Sequence, residues 1–588
     1  MKGLFLRSGF SERKIFSRLL RYILPYKAAF ILSFVFLFLS KAVEALAPLM
    51  IGYLVRNTFA DNPINYGLSP LSFFCGIALF ISFGFLFEFL HVRFKAEGGE
   101  KALFDLRRQV FSHIQNLPVN TFDRVPSGML LTRTIHDVEQ VSLLFSDSLV
   151  PLIGSFFLFV SMIGAITYID FKSGLILLII LPFAVGLALR FRYVQEISFT
   201  KVRHLVAMLN IFIQERLQGL FIIREFGLEK REMAKFSKLN QELKKAHVST
   251  IHNFAFFIAG IDVMTNFFII SSAGFLIYSA AGSKIDPGAF VTILLYSAVL
   301  FRPLVDLAER YNVLQSSLAA FERIASVLDM SAEDVNTGGE LSTIEEIGMQ
   351  NVSFSYGREE SVLKRVEFTL KRGQWAAIVG MSGAGKSSIL SLLLGFYRAS
   401  SGTVTLNGKA IESFSKESLR KRIAPVFQDP IIISGSLKDN ITLFQKEEDG
   451  VIEGLIEKMG LTGWLAQFPQ GIHTPIKEKG KNISVGEAQL VSLLRALYSG
   501  RDLLLLDEAL SSVDIATERL LEKGLIDSFG GRIALVVSHR FSLVAKAPLI
   551  LVMEKGEIKE AGGHSELMAK KGIYEKLSRL QSVGMERF

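Results

Sequence analysis

Apolar residues are concentrated in the first part of this 588-residue chain, up to about residue 320, whereas the remainder has the mixed composition of a soluble α/β domain. A helix needs about 20 predominantly apolar residues to cross a bilayer. Six apolar segments reach that length, at about 28–56, 70–92, 148–169, 173–192, 254–281 and 287–313. The pattern therefore predicts a multidomain membrane protein, with a six-helix all-α transmembrane domain followed by an α/β domain.

The segments that connect the spans differ in charge. Lys and Arg are frequent in residues 1–26 and in two long polar stretches, 93–134 and 190–250, whereas the short connections are nearly neutral. Because basic loops stay inside, this asymmetry predicts a multi-pass protein of the cytoplasmic membrane, with both termini and the C-terminal domain in the cytoplasm. Residues 1–26 are amphipathic and predict an interfacial elbow helix. The charge distribution also explains the net charge of +9, so nucleic acid is not an expected partner.

Polar or reactive side chains occur within three of the predicted spans. Lys41 and Glu44 share one face of the first span, and Asp262 and Asn266 form a similar pair in the fifth. Charges at this depth are costly, so they are expected to line a polar substrate path or to form a bridge between helices that fixes their packing. Both interpretations stay open. The single cysteine, Cys75, lies in an apolar run, where a buried thiol is expected and no disulfide within the chain is possible.

The C-terminal domain carries a glycine-rich loop between a strand and a helix. The buried strand WAAIVG ends at Gly380, and Gly-x-x-x-x-Gly-Lys-Ser follows, with helical spacing beginning at once. This is a P-loop in its required context, in which backbone N–H groups cradle phosphate, Lys386 reaches the β- and γ-phosphates, and Ser387 ligates Mg²⁺. The predicted phosphate-binding residues are Gly380, Ser382, Gly383, Gly385, Lys386, Ser387 and Ser388.

A second buried strand, DLLLLDE, ends in two acids. Asp507 emerges at the carboxyl end of the strand, where it can hold Mg²⁺ through water. Glu508 is then placed to orient or deprotonate the water that attacks the γ-phosphate. The chain is therefore expected to bind and hydrolyse a nucleoside triphosphate.

Six spans with long loops, followed by a P-loop domain with this order of motifs, resemble a half-transporter of the ATP-binding cassette exporters. The resemblance implies ATP and Mg²⁺ as cofactors, with Ser387, Gln428 and Asp507 on the metal. It also implies that Tyr356 stacks on adenine, that Gln428 is the Q-loop residue, and that His539 is the switch histidine on the γ-phosphate. The segment SSVD, which ends at Asp514, resembles the D-loop. Lys386, Glu508 and His539 are then the expected catalytic residues.

The same resemblance assigns a role to two segments of the long loops, 122–138 and 218–227, which correspond to the coupling helices. Gly128 and Gly219 are expected to permit sharp bends there. The predicted domains are an elbow helix at 1–26, a transmembrane domain at 27–325, a linker at 326–342 and a nucleotide-binding domain at 343–582.

The segment ISVGE occupies the place of the family's signature, which is usually Leu-Ser-Gly-Gly-Gln and completes the ATP site of a partner domain. Ser484 and Gly486 keep the usual residues. Val485 adds a side chain where backbone must approach phosphate closely, and Glu487 adds a negative charge near a polyanion. Both changes are expected to weaken closure on the site that this signature serves.

An intact set of ATP-site residues beside a degenerate signature resembles the heterodimeric exporters, in which one composite site is catalytic and the other turns over poorly. A different half-transporter is therefore the favoured partner, although a homodimer is possible. The expected function is ATP-driven export of a hydrophobic or amphiphilic small molecule or lipid across the bilayer. Two alternatives are an importer with the exporter fold and a regulatory ATP-binding subunit, and the intact Glu508 and His539 count against the second.

Overall fold

The computed structural model describes residues 12–59, 70–144, 149–279, 286–357 and 360–585. Residues 1–11 of the predicted elbow helix and positions 148, 280 and 281 of the predicted spans lie outside these ranges. The chain forms two compact units, which are described separately. The first comprises Met1–Leu117 and Val125–Met330, and the second comprises Pro118–Arg124 and Ser331–Phe588.

The described part of the first unit is helical. Its α-helices are α1 (Glu12–Ile23), α2 (Lys27–Phe59), α3 (Pro70–Gln115), α5 (Ser127–Thr132), α6 (Val138–Leu143), α7 (Leu149–Ile169), α8 (Phe171–Gln218), α9 (Leu220–Glu225), α10 (Glu229–Ser279), α11 (Pro287–Leu300) and α12 (Arg302–Leu328), and α4 (Val119–Phe122) belongs to the second unit. Among the residues that the structure describes, six segments are long and apolar enough to cross a membrane, which confirms the predicted number. The 51 residues of α10 extend for about 75 Å, so this helix continues well beyond a bilayer core of about 30 Å.

Local chemistry explains where the spanning helices begin and end. The Asp170 carboxylate accepts a hydrogen bond from the Ser173 N–H at 2.7 Å and caps α8. The sixth predicted span is not one helix, because α11 ends at Leu300 and α12 begins at Arg302. Pro303 follows at the second position of α12, and its missing N–H interrupts the backbone ladder between the two helices.

Two expectations about single residues in this unit are wrong, those for Cys75 and Gly128. Cys75 is exposed, because α3 turns this side chain away from its helical neighbours. Gly128 lies inside α5, so no bend is centred on it. Gly219 does separate α8 from α9, but its φ of −93° is open to any residue, so the break needs no glycine. The left-handed residue of this loop is Gly227, with φ +61°.

The polar side chains of the first span make two kinds of contact, one within α2 and one between α2 and α3. Lys41 and Glu44 form an ion pair of 2.7 Å within α2, so this pair does not bridge two helices. The neighbouring Ser40 hydroxyl instead donates to the Glu88 carboxylate of α3 at 2.9 Å. An interhelical bridge therefore exists at this level, but its α2 partner is Ser40.

A buried ion cluster lies in the helical segment 127–143, where Arg133–Asp137 forms a π-helical turn between α5 and α6. Asp137 is 4% exposed and pairs with Arg133 at 2.7 Å and with Arg323 of α12 at 2.5 Å. Burial opposes ionisation of Asp137, but the hydrogen bonds from the two guanidinium groups outweigh it and hold its pKa below the usual range. The cluster ties this segment to α12.

The second unit is an α/β domain. Its strands are β1 (Glu346–Phe354), β2 (Leu363–Lys371), β3 (Trp375–Gly380), β4 (Ser401–Leu406), β5 (Lys409–Ala410), β6 (Ile423–Val426), β7 (Gly435–Ser436), β8 (Pro475–Ile476), β9 (Leu503–Asp507), β10 (Ile533–Val537), β11 (Leu549–Glu554) and β12 (Glu557–Gly562). Its further helices are α13 (Lys386–Leu393), α14 (Lys416–Arg422), α15 (Leu437–Thr442), α16 (Asp449–Lys458), α17 (Thr462–Leu465), α18 (Val485–Tyr498), α19 (Ile515–Ser528), α20 (Phe541–Val544), α21 (His564–Ala569) and α22 (Ile573–Met585).

The main sheet has the order β12-β11-β3-β10-β9-β6, with the five strands from β11 to β6 parallel and β12 antiparallel at one edge. β3, β9 and β10 are buried along their whole length, as apolar strands covered by helices on both faces must be. Val537 of β10 pairs with both Ile378 and Asp507, so the carboxyl ends of β3, β10 and β9 meet at one edge. Ligands of open α/β sheets bind at such an edge.

Candidate active site

The P-loop follows β3 at this edge. Gly383 and Gly385 have φ of +79° and +98°, in the region that favours glycine. A Cβ on Gly385 would also lie 2.7 Å from the Leu363 side chain, so this position has no room for another residue. α13 begins at Lys386, directly after the turn, and its first N–H groups are therefore available to phosphate.

Lys386 lies inside the P-loop. Its ammonium donates to the carbonyl oxygens of Gly380 at 2.8 Å and Met381 at 3.1 Å. Burial lowers the pKa of Lys386, and the nearby Glu508 and Asp507 carboxylates oppose that shift. A buried cation held by two neutral carbonyls is suited to bind phosphate, because an anion would supply the missing opposite charge.

Asp507 ends β9 and is buried. Burial raises its pKa, and a hydrogen bond from the Ser387 hydroxyl opposes that shift. A carboxylate and a hydroxyl in contact form an oxygen-rich pair, which is the ligand type that Mg²⁺ prefers. The structure thus brings together two of the three residues predicted to hold the metal.

Glu508 receives two side chains from separate loops. The Gln428 amide donates to its Oε2 at 3.1 Å, and His539 Nε2 lies 3.1 Å from its Oε1. The backbone of Glu508 has φ +49°, a left-handed conformation that is rare for residues other than glycine and is often found at functional sites. Two predicted site residues from distant parts of the sequence therefore converge on the carboxylate of a third.

Tyr356 is placed beside the P-loop helix. Its hydroxyl lies 3.1 Å from the hydroxyl of Ser388, and its ring packs edge-on against Phe354 and Tyr397. The side chain remains 42% exposed. One face of an aromatic ring is thus available next to the phosphate-binding loop.

The signature segment forms a complete cap at the N-terminus of α18. The Ser484 hydroxyl accepts from the Glu487 N–H at 3.2 Å, and the Glu487 carboxylate accepts from the Ser484 N–H at 2.6 Å. This reciprocal pair is a capping box, which gives Glu487 a structural reason within its own chain. A carboxylate therefore occupies the helix N-terminus that the motif is expected to turn toward phosphate.

The two signature residues between these caps have different surroundings. A Cβ on Gly486 would lie 2.6 Å from the Ser512 carbonyl oxygen, so close packing excludes a side chain there. Val485 is 62% exposed. Asp514 caps α19 by accepting a hydrogen bond from the Thr517 N–H at 2.9 Å, and this bond lowers its pKa.

Two sequence families match this chain. They are described as "ABC transporter transmembrane region", over residues 30–304, and "ABC transporter", over residues 363–511. The "Probable multidrug resistance ABC transporter ATP-binding/permease protein YheH" of Bacillus subtilis (strain 168) is 31% identical over 491 residues, which cover 81% of this chain and 72% of that protein. This chain belongs to the ABC transporter family.

Other comparisons cover almost the whole transporter. The "ATP-dependent lipid A-core flippase" of Wigglesworthia glossinidia brevipalpis is 29% identical over 592 residues, which cover 98% of this chain and 99% of that protein. The structure of a bacterial Atm1-family ABC exporter with ATP bound superposes with a TM-score of 0.78 at 22% identity, over 94% of this chain and 99% of that one. This likeness confirms the fold, with six membrane helices followed by the α/β domain.

Membership of the family establishes the chemistry of the ABC transporter in outline. The chain carries a transmembrane region and an ATP-binding domain together, so it hydrolyses ATP and couples that hydrolysis to transport. The roles of single residues remain predictions, although their positions in the second unit agree with a common site. Two polar residues at this site, the buried Gln489 and the half-buried Arg540, had no place in the sequence prediction. The available signals were a glutamine that precedes the apolar pair Leu490 and Val491, and an arginine directly after His539.

Proposed function

We propose that this ABC transporter is one subunit of a heterodimer that exports a hydrophobic or amphiphilic small molecule or lipid across the cytoplasmic membrane. The substrate class is supported by the spans, which are apolar with few charges, and by relatives named for multidrug resistance and for lipid A-core flipping. The proposed topology places both termini and the nucleotide-binding domain, residues 343–582, in the cytoplasm. The transmembrane domain is proposed to span 27–325, between the elbow helix and a linker at 326–342.

The proposed ATP site uses the residues that converge at the carboxyl edge of the main sheet. Lys386 and the P-loop N–H groups bind the β- and γ-phosphates, and Tyr356 stacks on adenine. Ser387 and Asp507 fit Mg²⁺, with Gln428 completing the set, and the bound ion would neutralise charge on the phosphates. Glu508 orients the attacking water and accepts its proton, while His539 contacts the γ-phosphate.

The observation that carries the heterodimer proposal is the contrast within one domain. Glu508 is held between Gln428 and His539, so this chain provides an intact half of a catalytic site. The signature half has a carboxylate on its helix N-terminus and an exposed valine. We therefore propose that the partner supplies a better signature to this chain's ATP, and that this chain's signature serves a site of low turnover.

The test is ATP turnover of the full chain in lipid, alone and together with a second half-transporter, beside a Glu508→Gln control. Turnover only in the mixed assembly, abolished by Glu508→Gln in this chain, is the expected result. Robust turnover of the chain alone would overturn the heterodimer. Substrate movement in inside-out vesicles then tests direction, because accumulation inside those vesicles is export and depletion from them would establish import.

A further inference from the structure

Two polar side chains, one buried and one half-buried, hold the backbone that follows Glu508. This backbone, Ser511–Val513, is called the D-loop segment below. Gln489 reaches it from α18 and is 1% exposed, and Arg540 reaches it from the position after His539. Neither residue belongs to the proposed set that contacts ATP or Mg²⁺.

Gln489 binds the D-loop segment from the signature helix. Its Oε1 accepts from the Ser512 N–H at 2.8 Å, and its Nε2 donates to the Ser511 hydroxyl at 3.0 Å. Nε2 also lies 3.4 Å from the backbone carbonyl oxygen of Gln428, the residue whose side chain contacts Glu508. One buried amide therefore fixes the segments on both sides of the Glu508 carboxylate.

Arg540 binds the same segment from the other side. Its Nη2 donates to the carbonyl oxygens of Ser511 and Val513, each at 2.9 Å. Its Nη1 pairs with the carboxylate of Glu518, which is 7% exposed and also accepts from the Ser542 hydroxyl at 3.2 Å. The planar guanidinium can make these bonds together because its donors are fixed in a fork.

The D-loop segment determines how Glu508 is held. The Glu508 N–H donates to the Val537 carbonyl oxygen at 2.9 Å, and the Ser511 N–H donates to the Glu508 carbonyl oxygen at 3.0 Å. Between these bonds Glu508 has its left-handed φ of +49°, which persists only where the surrounding structure fixes it. β10 fixes the chain before Glu508, and the D-loop segment fixes the chain after it.

We infer that Gln489 and Arg540 are positioning residues for Glu508. They hold the D-loop segment, and through it the strained backbone that aims the Glu508 carboxylate between Gln428 and His539. This inference rests on the proposed role of Glu508. Loss of either residue lets the carboxylate move away from the attacking water without removing any group that binds ATP.

The experiment uses the full chain in lipid, in the assembly that hydrolyses ATP. Arg540→Gln and Gln489→Leu are each expected to lower kcat on the order of tenfold to a hundredfold, because small misplacements of a reacting group cost that much. The KM for ATP should stay within about threefold in both variants, since no ATP-binding group is changed. Arg540→Lys keeps a cation beside Glu518 but cannot make both carbonyl bonds, so an intermediate kcat is expected.

Arg501→Gln is the matched control. Arg501 is another half-buried arginine of this domain, and its Nη1 donates to the Ile423 carbonyl oxygen at 2.7 Å, at the amino ends of β6 and β9. Its kcat should remain within about twofold of the parent, with any loss appearing in the melting temperature instead. The double variant Gln489→Leu/Arg540→Gln should lose less than the product of the single losses, because both residues act through one segment.

The outcomes separate this inference from the function on which it rests. If Glu508→Gln retains turnover, the proposed role of Glu508 falls. If Glu508→Gln is inactive while Arg540→Gln and Gln489→Leu keep the parental kcat, only the positioning role falls. Should Arg540→Gln fail to fold, Arg540→Lys decides, since a folded lysine variant with the full parental kcat would overturn the inference.

Discussion

The P-loop face and the signature face of the nucleotide-binding domain are built from different kinds of contact. On the P-loop face, a backbone carbonyl holds the Lys386 ammonium, and two side chains from separate loops hold the Glu508 carboxylate. Both charged groups lie where the proposed nucleotide and attacking water would bind. On the second, Ser484 and Glu487 satisfy each other in a capping box. A motif can therefore depart from the residues that bind a partner's ATP and still form a complete helix cap within its own chain.

The largest expected effect is on the P-loop face. Glu508→Gln should lower ATP turnover by about 10²–10⁴-fold, because an amide cannot accept the proton of the attacking water. ATP binding should persist, as measured by retention of a fluorescent nucleotide. Glu345→Gln, at an exposed carboxylate paired with Arg372, is the control and should keep its activity. Equal losses of turnover in both variants would show that the effect of Glu508→Gln is not specific to the catalytic carboxylate.

The next effect concerns binding. Lys386→Met keeps most of the side-chain volume but removes the charge that faces phosphate. Hydrogen bonds to charged groups contribute about 1.5–3 kcal/mol, so ATP affinity should fall by about tenfold to more than a hundredfold. Isothermal titration with ATP measures this change, and Lys371→Met on the exposed face of β2 serves as its control. Unchanged affinity in Lys386→Met would contradict the proposed P-loop contact.

A smaller effect is expected at Tyr356. Tyr356→Ala removes the exposed ring, and aromatic pairing contributes about 0.5–1.5 kcal/mol, so the KM for ATP should rise by about twofold to tenfold. Tyr356→Phe keeps the ring and loses only the contact with Ser388, so its KM should stay near the parental value. A larger rise in the phenylalanine variant than in the alanine variant would argue against stacking.

The smallest effect sharpens the comparison most directly. Glu487→Gln removes a negative charge at the N-terminus of α18, and a charge there changes the energy by about 0.3–1 kcal/mol, or roughly twofold to fivefold in rate. Turnover of the assembled transporter should therefore rise, and Val485→Gly should act in the same direction. Glu417→Gln, an acid in the first turn of α14, controls for the loss of charge at a helix N-terminus. A fall in turnover would indicate that the signature is adapted and not impaired.

Local sequence patterns were sufficient to predict the motifs, but they did not reveal the distant residues that hold those motifs in place. Six spans, the P-loop around Lys386 and the acid pair after β9 follow from short stretches of sequence, because each has its own periodicity or spacing. The capping role of Glu487 has an equally local signature, because Glu487 lies three residues after Ser484. The break at Phe301 also has a local cause, because Pro303 follows it two residues later and has no N–H for the helix ladder.

The residues that sequence reasoning missed depend on distant partners. Arg540 is 29 positions from Ser511, and Gln489 is 23 positions from Ser512, so only the folded sheet brings them together. The exposure of Cys75 likewise depends on which face α3 turns to α2, and an apolar run on all sides does not reveal that face. Such facts belong to tertiary packing.

The buried cluster of Asp137, Arg133 and Arg323 has a mechanical consequence. A slip of α12 by a single residue would carry Arg323 about 1.5 Å along the helix axis, enough to break its two charged hydrogen bonds to the buried Asp137. Rotation about the cluster keeps those bonds, whereas sliding does not. Asp137 therefore fixes α12 to the segment 127–143 at this point and opposes any sliding of one past the other.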